Sequence, residues 1–183
     1  MKKGKYPIVI AIAAVSGGGK TTITSHLNAE LTNAKTLNFD DYMFEGPDDL
    51  IEWIDAGGDP NDWDLLPLIR DIRMLLHEPL DYILLDFPFA YTHAKTSKFI
   101  DFTVFIDTPL DIAMARRVTR DFKNSSVETI VTEMNNYISR GRRGYLHMLQ
   151  TIKPNSDIVV DGTLPIREIV SAIIWNIEKR EEF

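Results

Sequence analysis

The sequence predicts an α/β protein built around one parallel sheet, and three observations lead to that class. Short apolar runs alternate with segments of helical period along the chain. The first of these runs, Ile8–Val15, leads straight into three consecutive glycines, Gly17, Gly18 and Gly19. Four further runs, "LNFD", "ILLD", "VFID" and "IVVD", each end in an aspartate, as strands do where they meet a turn.

Taken in order, the first strand spans about Tyr6–Val15. A helix follows from Lys20 to about Leu31, because Ile23, Leu27 and Leu31 recur every four residues on one face. A short strand over Lys35–Phe39 ends in Asp40. A polar connection rich in Asp, Gly and Pro then runs from Asp41 to Asp64, with a short helix around Leu50–Ile54. The helix at about Leu65–Leu76 tolerates Pro67 in its first turn. Strands three and four are Tyr82–Asp86 and Phe102–Asp107. Thr108 as cap, Pro109 at the first helical position and Asp111 near the positive end open the next helix, which runs to about Arg120. After a polar break at 121–125, Ser125 and Glu128 have the spacing of a capping box. The helix they open carries an apolar stripe from Val127 through Met134, Ile138 and Tyr145 to Ile152, with Gly141 on the stripe as a close contact or a break. Strand five is Asp157–Asp161. The last helix, about Pro165–Lys179, turns Ile166, Ile169, Val170, Ile173 and Ile177 inward.

Composition narrows the function classes. The 183 residues form a single domain, 44% hydrophobic and 26% charged, with no run near the ~20 apolar residues that cross a bilayer. The start, Met1-Lys2-Lys3-Gly4-Lys5, is basic but lacks signal-peptide form. Cysteine is absent, so no disulfide framework or thiolate chemistry exists, and a cytoplasmic location is expected. A net charge of −7 argues against nucleic acid as a partner, despite the basic cluster Arg140-Gly141-Arg142-Arg143-Gly144. That cluster reads as an anion site or a solubilised helix face. The histidines His26, His77, His93 and His147 have no metal-ligand spacing. Oligomeric state stays open.

Ala14–Thr21 fits a phosphate-binding loop: Ala, four residues, Gly-Lys, then Thr. Glycines let backbone N–H groups turn inward around phosphate oxygens, and Lys20 reaches the β- and γ-phosphates. The Thr21 hydroxyl suits Mg²⁺, and the helix that starts there adds its positive end. Ser16, Gly17, Gly18, Gly19, Lys20, Thr21 and Thr22 are thus expected to bind a nucleoside triphosphate.

Ligands in open α/β sheets sit beyond the carboxyl ends of the strands, where Asp40, Asp86, Asp107 and Asp161 fall. Asp40, followed by Asp41, Tyr42, Met43 and Phe44, is the candidate acceptor of a substrate hydroxyl proton and a candidate metal neighbour. Asp86 ends the most apolar strand and is the candidate for Mg²⁺, directly or through water. Asp107 reads as structural, and Asp161 opens a glycine-containing loop that is a candidate neighbour of the nucleotide base. "ARRVTRD" places Arg116, Arg117 and Arg120 at a helix end before the polar break, as cations that close over a triphosphate. The bland alternative is a solvated helix face.

With these residues in view, the chain resembles the uridine kinase and phosphoribulokinase group of P-loop small-molecule kinases over nearly its whole length. The resemblance rests on "AVSGGGKTT", "LNFDDYMF", "NDWDLLPLIRDIRMLL", "ARRVTRD" and "IKPNSDIVVDG". It implies a three-layer P-loop NTPase fold with strand order 2-3-1-4-5 and a short helical lid at about 116–128. It further implies MgATP-dependent phosphorylation of a hydroxyl on a small molecule, with Asp40, Lys20, Arg116 and Arg120 in catalytic roles and Arg117 on the nucleotide. Two features depart from the family pattern. Only "HEPLD" separates the third helix from strand three, where uridine kinases carry a base-contacting hairpin. Asp86-Phe87 stands where Glu-Gly is usual. The competing expectation is a nucleotide-binding regulatory or assembly ATPase with no small-molecule acceptor.

Overall fold

The computed structural model describes residues 6–181, so the basic start at 1–5 lies outside the described residues. Five strands, β1 (Ile8–Ala14), β2 (Ala34–Asn38), β3 (Tyr82–Asp86), β4 (Phe102–Asp107) and β5 (Ile158–Asp161), form one sheet in the order β2-β3-β1-β4-β5. Every pairing is parallel; α-helices cross over from β1 to β2, β2 to β3 and β4 to β5, whereas β3 reaches β4 through a connection with one 3₁₀ turn, Ser97–Phe99. β1 is central and fully apolar because both of its faces are covered.

Alternation along β1 divides the core. Ile10, Ile12 and Ala14 pack with Ile23 and Leu27 of α1 (Lys20–Glu30) and with Ile169, Val170, Ile173 and Ile177 of the last helix. Val9, Ala11 and Ala13 face the opposite layer. That layer holds Trp53 of α2 (Leu50–Asp55), the Leu68, Ile69 and Ile72 face of α3 (Leu66–Leu75), and Ala113 and Met114 of α4 (Leu110–Asp121). The sheet thus lies between two helical layers, with α1 and the last helix on one side.

Four local expectations are corrected. Pro109, not Thr108, occupies the cap position of α4, and the Thr108 hydroxyl is used elsewhere. At α5 (Val127–Asn136), the cap is Ser126, which accepts from the Thr129 amide at 3.2 Å, one residue later than the expected box. The stripe drawn from Val127 to Ile152 does not stay on one face. The helix passes through π-helical turns at Tyr137–Gly141 and Met148–Ile152, on either side of α6 (Arg142–His147). Wider turns shift the phase of the side chains. Val127, Val131 and Ile138 therefore face solvent while Tyr145 and Ile152 are buried. Gly141 meets only ordinary contacts, so its place is in the π turn rather than at a close helix crossing. The last helix, α7 (Ile166–Glu181), buries the expected residues except Ile166, which is exposed at its first turn. No described helix is long and apolar enough to cross a membrane.

Candidate active site

The glycine loop joins β1 to α1 at the carboxyl edge of the sheet. Gly17 and Gly19 have φ of +78° and +100°, where side chains other than glycine are disfavoured. A Cβ at residue 17 would overlap the Ala113 carbonyl of α4 as well, so the loop is pressed against that helix. Gly19 caps α1 with no side-chain hydrogen bond, and the first turn contains no acid. The amides at this helix end and its dipole are therefore free to take an anion, and Thr21 and Thr22 stand exposed beside them. These features fit a phosphate chain.

Lys20 begins α1 and forms an ion pair with Asp86, the last residue of β3. Burial pushes the Lys20 ammonium down to about 8, against the pull of the Asp40 carboxylate. Asp86 itself is buried, and its carboxylate meets Lys20 instead of lining open space. Asp40 sits in a 3₁₀ turn, Phe39–Asp41, directly after β2, and is exposed. No ion pair or hydrogen bond holds its carboxylate among the described residues.

Lys20, Thr21, Thr22 and Asp40 line one cleft of about 890 Å³. One end is the glycine loop. The other is an aromatic chamber walled by Phe39, Trp53, Trp63, Phe89 and Met148, with His147 beside Trp53. Cations on the cleft wall are matched by acids. Arg117 donates to Glu133 at 2.7 Å, Arg120 to Asp121 at 2.6 Å and Arg140 to Asp49 at 2.8 Å. Arg143 adds a further pair with Asp55 of α2, so two arginines of the basic cluster tie the π turn and α6 to α2.

The expected lid arginines part company. Arg117 and Arg120 line the cleft shared with Asp40. Arg116 instead donates to the Gly162 carbonyl at 3.2 Å and faces a second hollow of about 360 Å³ behind Gly17–Gly19, which Arg120 also borders. Of the segment 116–128, residues 116–121 complete α4, 122–126 form the turn, and 127–128 begin α5. Asp107 pairs with Lys153 at 2.6 Å and Asp161 braces the turn at Thr163, both structural uses.

Thr21 and Asp40 are oxygen donors on the cleft wall, and Asp86 lies behind Lys20. The described residues contain no cluster of three or more acidic or histidine side chains placed to hold a metal. Mg²⁺ is usually held by one or two carboxylates together with phosphates and waters, so this donor set fits it. Sequence reasoning missed the aromatic chamber. Its walls come from five separate segments spread along the chain.

No protein-family model matches the chain. It is 25% identical to the uridine kinase of Borrelia hermsii over 176 aligned residues, covering 83% of this chain and 85% of that protein. Identity to the uridine kinase of Leuconostoc citreum is 25% over 186 aligned residues, covering 86% and 88%. Among solved structures, the shikimate kinase of Aquifex aeolicus is similar with a TM-score of 0.51 and 18% identity, covering 95% of this chain and 98% of that one. A putative fructose transport system kinase from Silicibacter sp. TM1040 is similar with a TM-score of 0.52 and 16% identity, covering 72% and 81%. The chain therefore has the fold of the P-loop kinases, and over most of its length its sequence is similar to that of uridine kinases.

Proposed function

We propose that this protein is an ATP-dependent kinase that transfers the γ-phosphoryl group to a hydroxyl of a small molecule. One observation carries the reading: Asp40 and the glycine loop line the same cleft, with an aromatic chamber continuing beyond the carboxylate. A regulatory ATPase needs a place for the triphosphate and a water, but not that chamber.

In this reading the amides of Gly17, Gly19 and Lys20 and the start of α1 hold the β- and γ-phosphates, and Lys20 neutralises their charge. Thr21 and Asp40 would hold Mg²⁺, with Asp86 behind Lys20 as a further oxygen donor, and the ion would supply positive charge that offsets the charge developing in the transition state. The acceptor lies in the aromatic chamber with its hydroxyl towards Asp40. An Asp40 carboxylate oxygen takes the hydroxyl proton as the acceptor oxygen bonds to the γ-phosphorus. The bond to the bridging oxygen breaks, and ADP leaves with its electron pair. Arg117 and Arg120 approach the phosphates by exchanging their carboxylate partners for phosphate oxygens, and Arg116 lies on the nucleotide side at Gly162.

The test is incubation with MgATP and a panel of nucleosides, vitamin alcohols and sugar phosphates, with products read by mass. One acceptor class should gain a phosphoryl group with an equal yield of ADP. Steady ADP release with no phosphorylated acceptor would overturn the reading.

A further inference from the structure

The Asp40 carboxylate lines the cleft, yet no hydrogen bond or ion pair holds it among the described residues. Its direction is set by the backbone of its 3₁₀ turn, Phe39–Asp41. A base must come within hydrogen-bond reach of the proton it takes, and a small misplacement costs rate. β2, which leads into the turn, is an edge strand supported by β3 alone. Asn38, the last residue of β2, is in register with Asp86 and fixes the entry to the turn.

Tyr42 fixes the exit. Its amide donates to the Phe39 carbonyl at 3.3 Å, which closes the turn. Its hydroxyl donates to the Asp71 carboxylate at 2.7 Å. Asp71 belongs to α3, whose Leu68, Ile69, Ile72 and Leu75 are buried in the core, so the turn is tied to a firmly packed helix. The Asp71 carboxylate has no other hydrogen-bond or ion-pair partner among the described residues. Burial, and then the bond to Asp71, push the Tyr42 phenol up, so it stays a protonated donor through the neutral range.

Two features separate this bond from ordinary packing. Neither Tyr42 nor Asp71 lines the cleft, so any effect they have on transfer passes through the turn. The Tyr42 ring is already stacked on Phe44 at 5.3 Å and 16°, and Phe44 lies 4.7 Å from Phe39. A phenylalanine would keep those contacts. The hydroxyl adds a direction that stacking lacks, because a hydrogen bond to a carboxylate is short and directional.

We propose that Tyr42 and Asp71 are positioning residues for phosphoryl transfer: the bond between them holds the turn so that the Asp40 carboxylate faces the acceptor hydroxyl. The proposal rests on the kinase reading of the same cleft.

Single-turnover transfer is measured with MgATP and, in parallel, uridine, adenosine, pyridoxine and ribose 5-phosphate. Each compound that the wild type phosphorylates is then followed in the variants. Tyr42→Phe and Asp71→Leu should each lower the rate about tenfold, while the MgATP concentration giving half the maximal rate stays within about twofold of the wild type. Asp71→Asn keeps an accepting oxygen and should recover most of the rate. In an Asp40→Asn background, Tyr42→Phe should lower the rate no further, because the carboxylate it positions is gone. A merely structural bond would lower the rate alike in both backgrounds. Equal loss in the two backgrounds, or a wild-type rate in Tyr42→Phe, overturns the proposal and leaves the kinase reading standing. Should Asp71→Leu fail to fold, Tyr42→Phe and Asp71→Asn decide. No product from any of the four compounds would overturn the kinase reading, and the role in transfer with it. Amide hydrogen exchange on the whole protein decides the clamp without turnover: Tyr42→Phe should speed exchange at residues 39–42, and unchanged exchange there sinks the proposal by itself.

Discussion

The hydroxyl of Thr108 donates to the carbonyl of Gly18 across 2.8 Å, joining the turn after β4 to the middle of the glycine loop 90 residues earlier. Both residues are buried. The loop is therefore shaped before any phosphate arrives, with the Gly18 amide donating to the Val15 carbonyl at 2.8 Å on its other side. Thr108→Val keeps the side-chain shape and removes the donor. Leaving the Gly18 carbonyl buried and unpaired should cost about 1–3 kcal/mol in urea unfolding and should weaken ATP binding measured by calorimetry. Thr108→Ser should restore most of both. A valine variant with the wild-type midpoint would show that the contact does not shape the loop.

Asp40 is exposed on a short turn, so changing it should leave the fold alone and act on chemistry. Asp40→Asn retains the size of the side chain and loses proton acceptance. Affinity for ATP measured without Mg²⁺ should stay near that of the wild type, while single-turnover transfer to the acceptor falls by about 10²–10⁴-fold. Normal transfer in that variant would remove Asp40 from the mechanism.

The parts of this molecule legible in the sequence are those set by neighbours along the chain. β3 and β4 match their expected limits, Tyr82–Asp86 and Phe102–Asp107, because apolar runs bounded by polar turns need no distant information. The glycine loop is legible for the same reason: strand, glycines and helix are contiguous. What escaped the sequence depends on distant partners. Thr108 looks like a cap until Gly18 is brought beside it. Val127, Val131 and Ile138 look inward-facing until the π turn at Tyr137–Gly141 changes the helical phase. The pairing of Asp86 with Lys20 is likewise invisible in a sequence that separates them by 66 residues. Arg116 and Arg117 are adjacent in sequence, but neighbours on a helix point about 100° apart, so they serve different hollows.

On the proposed function, Lys20 should make ATP binding pH-dependent. Its ammonium is lost as pH rises through about 8 in the free protein, because burial disfavours the charged form. If only the charged form clasps the phosphates, affinity is full below that pH. It then declines above it, by at most about tenfold per pH unit. Calorimetric titration with MgATP between pH 6.5 and 9.5, values chosen to bracket that pKa at roughly equal distance, should show this bend. Lys20→Met should bind weakly and without it. A flat wild-type profile across the range would show that Lys20 stays charged throughout or does not touch the nucleotide.

Asp49 performs two tasks that substitutions separate. Its carboxylate accepts from the amides of Ile51 and Glu52 at 2.8 and 3.0 Å, capping α2, and also takes the Arg140 guanidinium at 2.8 Å. The Arg140 bond and then the backbone bond from Glu52 hold its carboxyl down at about 2. A depressed carboxyl pKa contributes stability that is complete above the ordinary value of 3.8 and fades as pH falls through about 2. Asp49→Ala removes cap and ion pair together, Asp49→Asn keeps a capping oxygen, and Arg140→Ala removes only the pair. Melting temperature at pH 7 should therefore fall furthest in Asp49→Ala and less in the other two. An exposed ion pair contributes little by itself, so Arg140→Ala should lie nearest the wild type. The spread among the variants should narrow as pH is lowered towards 2. If Arg140→Ala melts as low as Asp49→Ala, the ion pair rather than the cap is what holds α2 over the aromatic chamber.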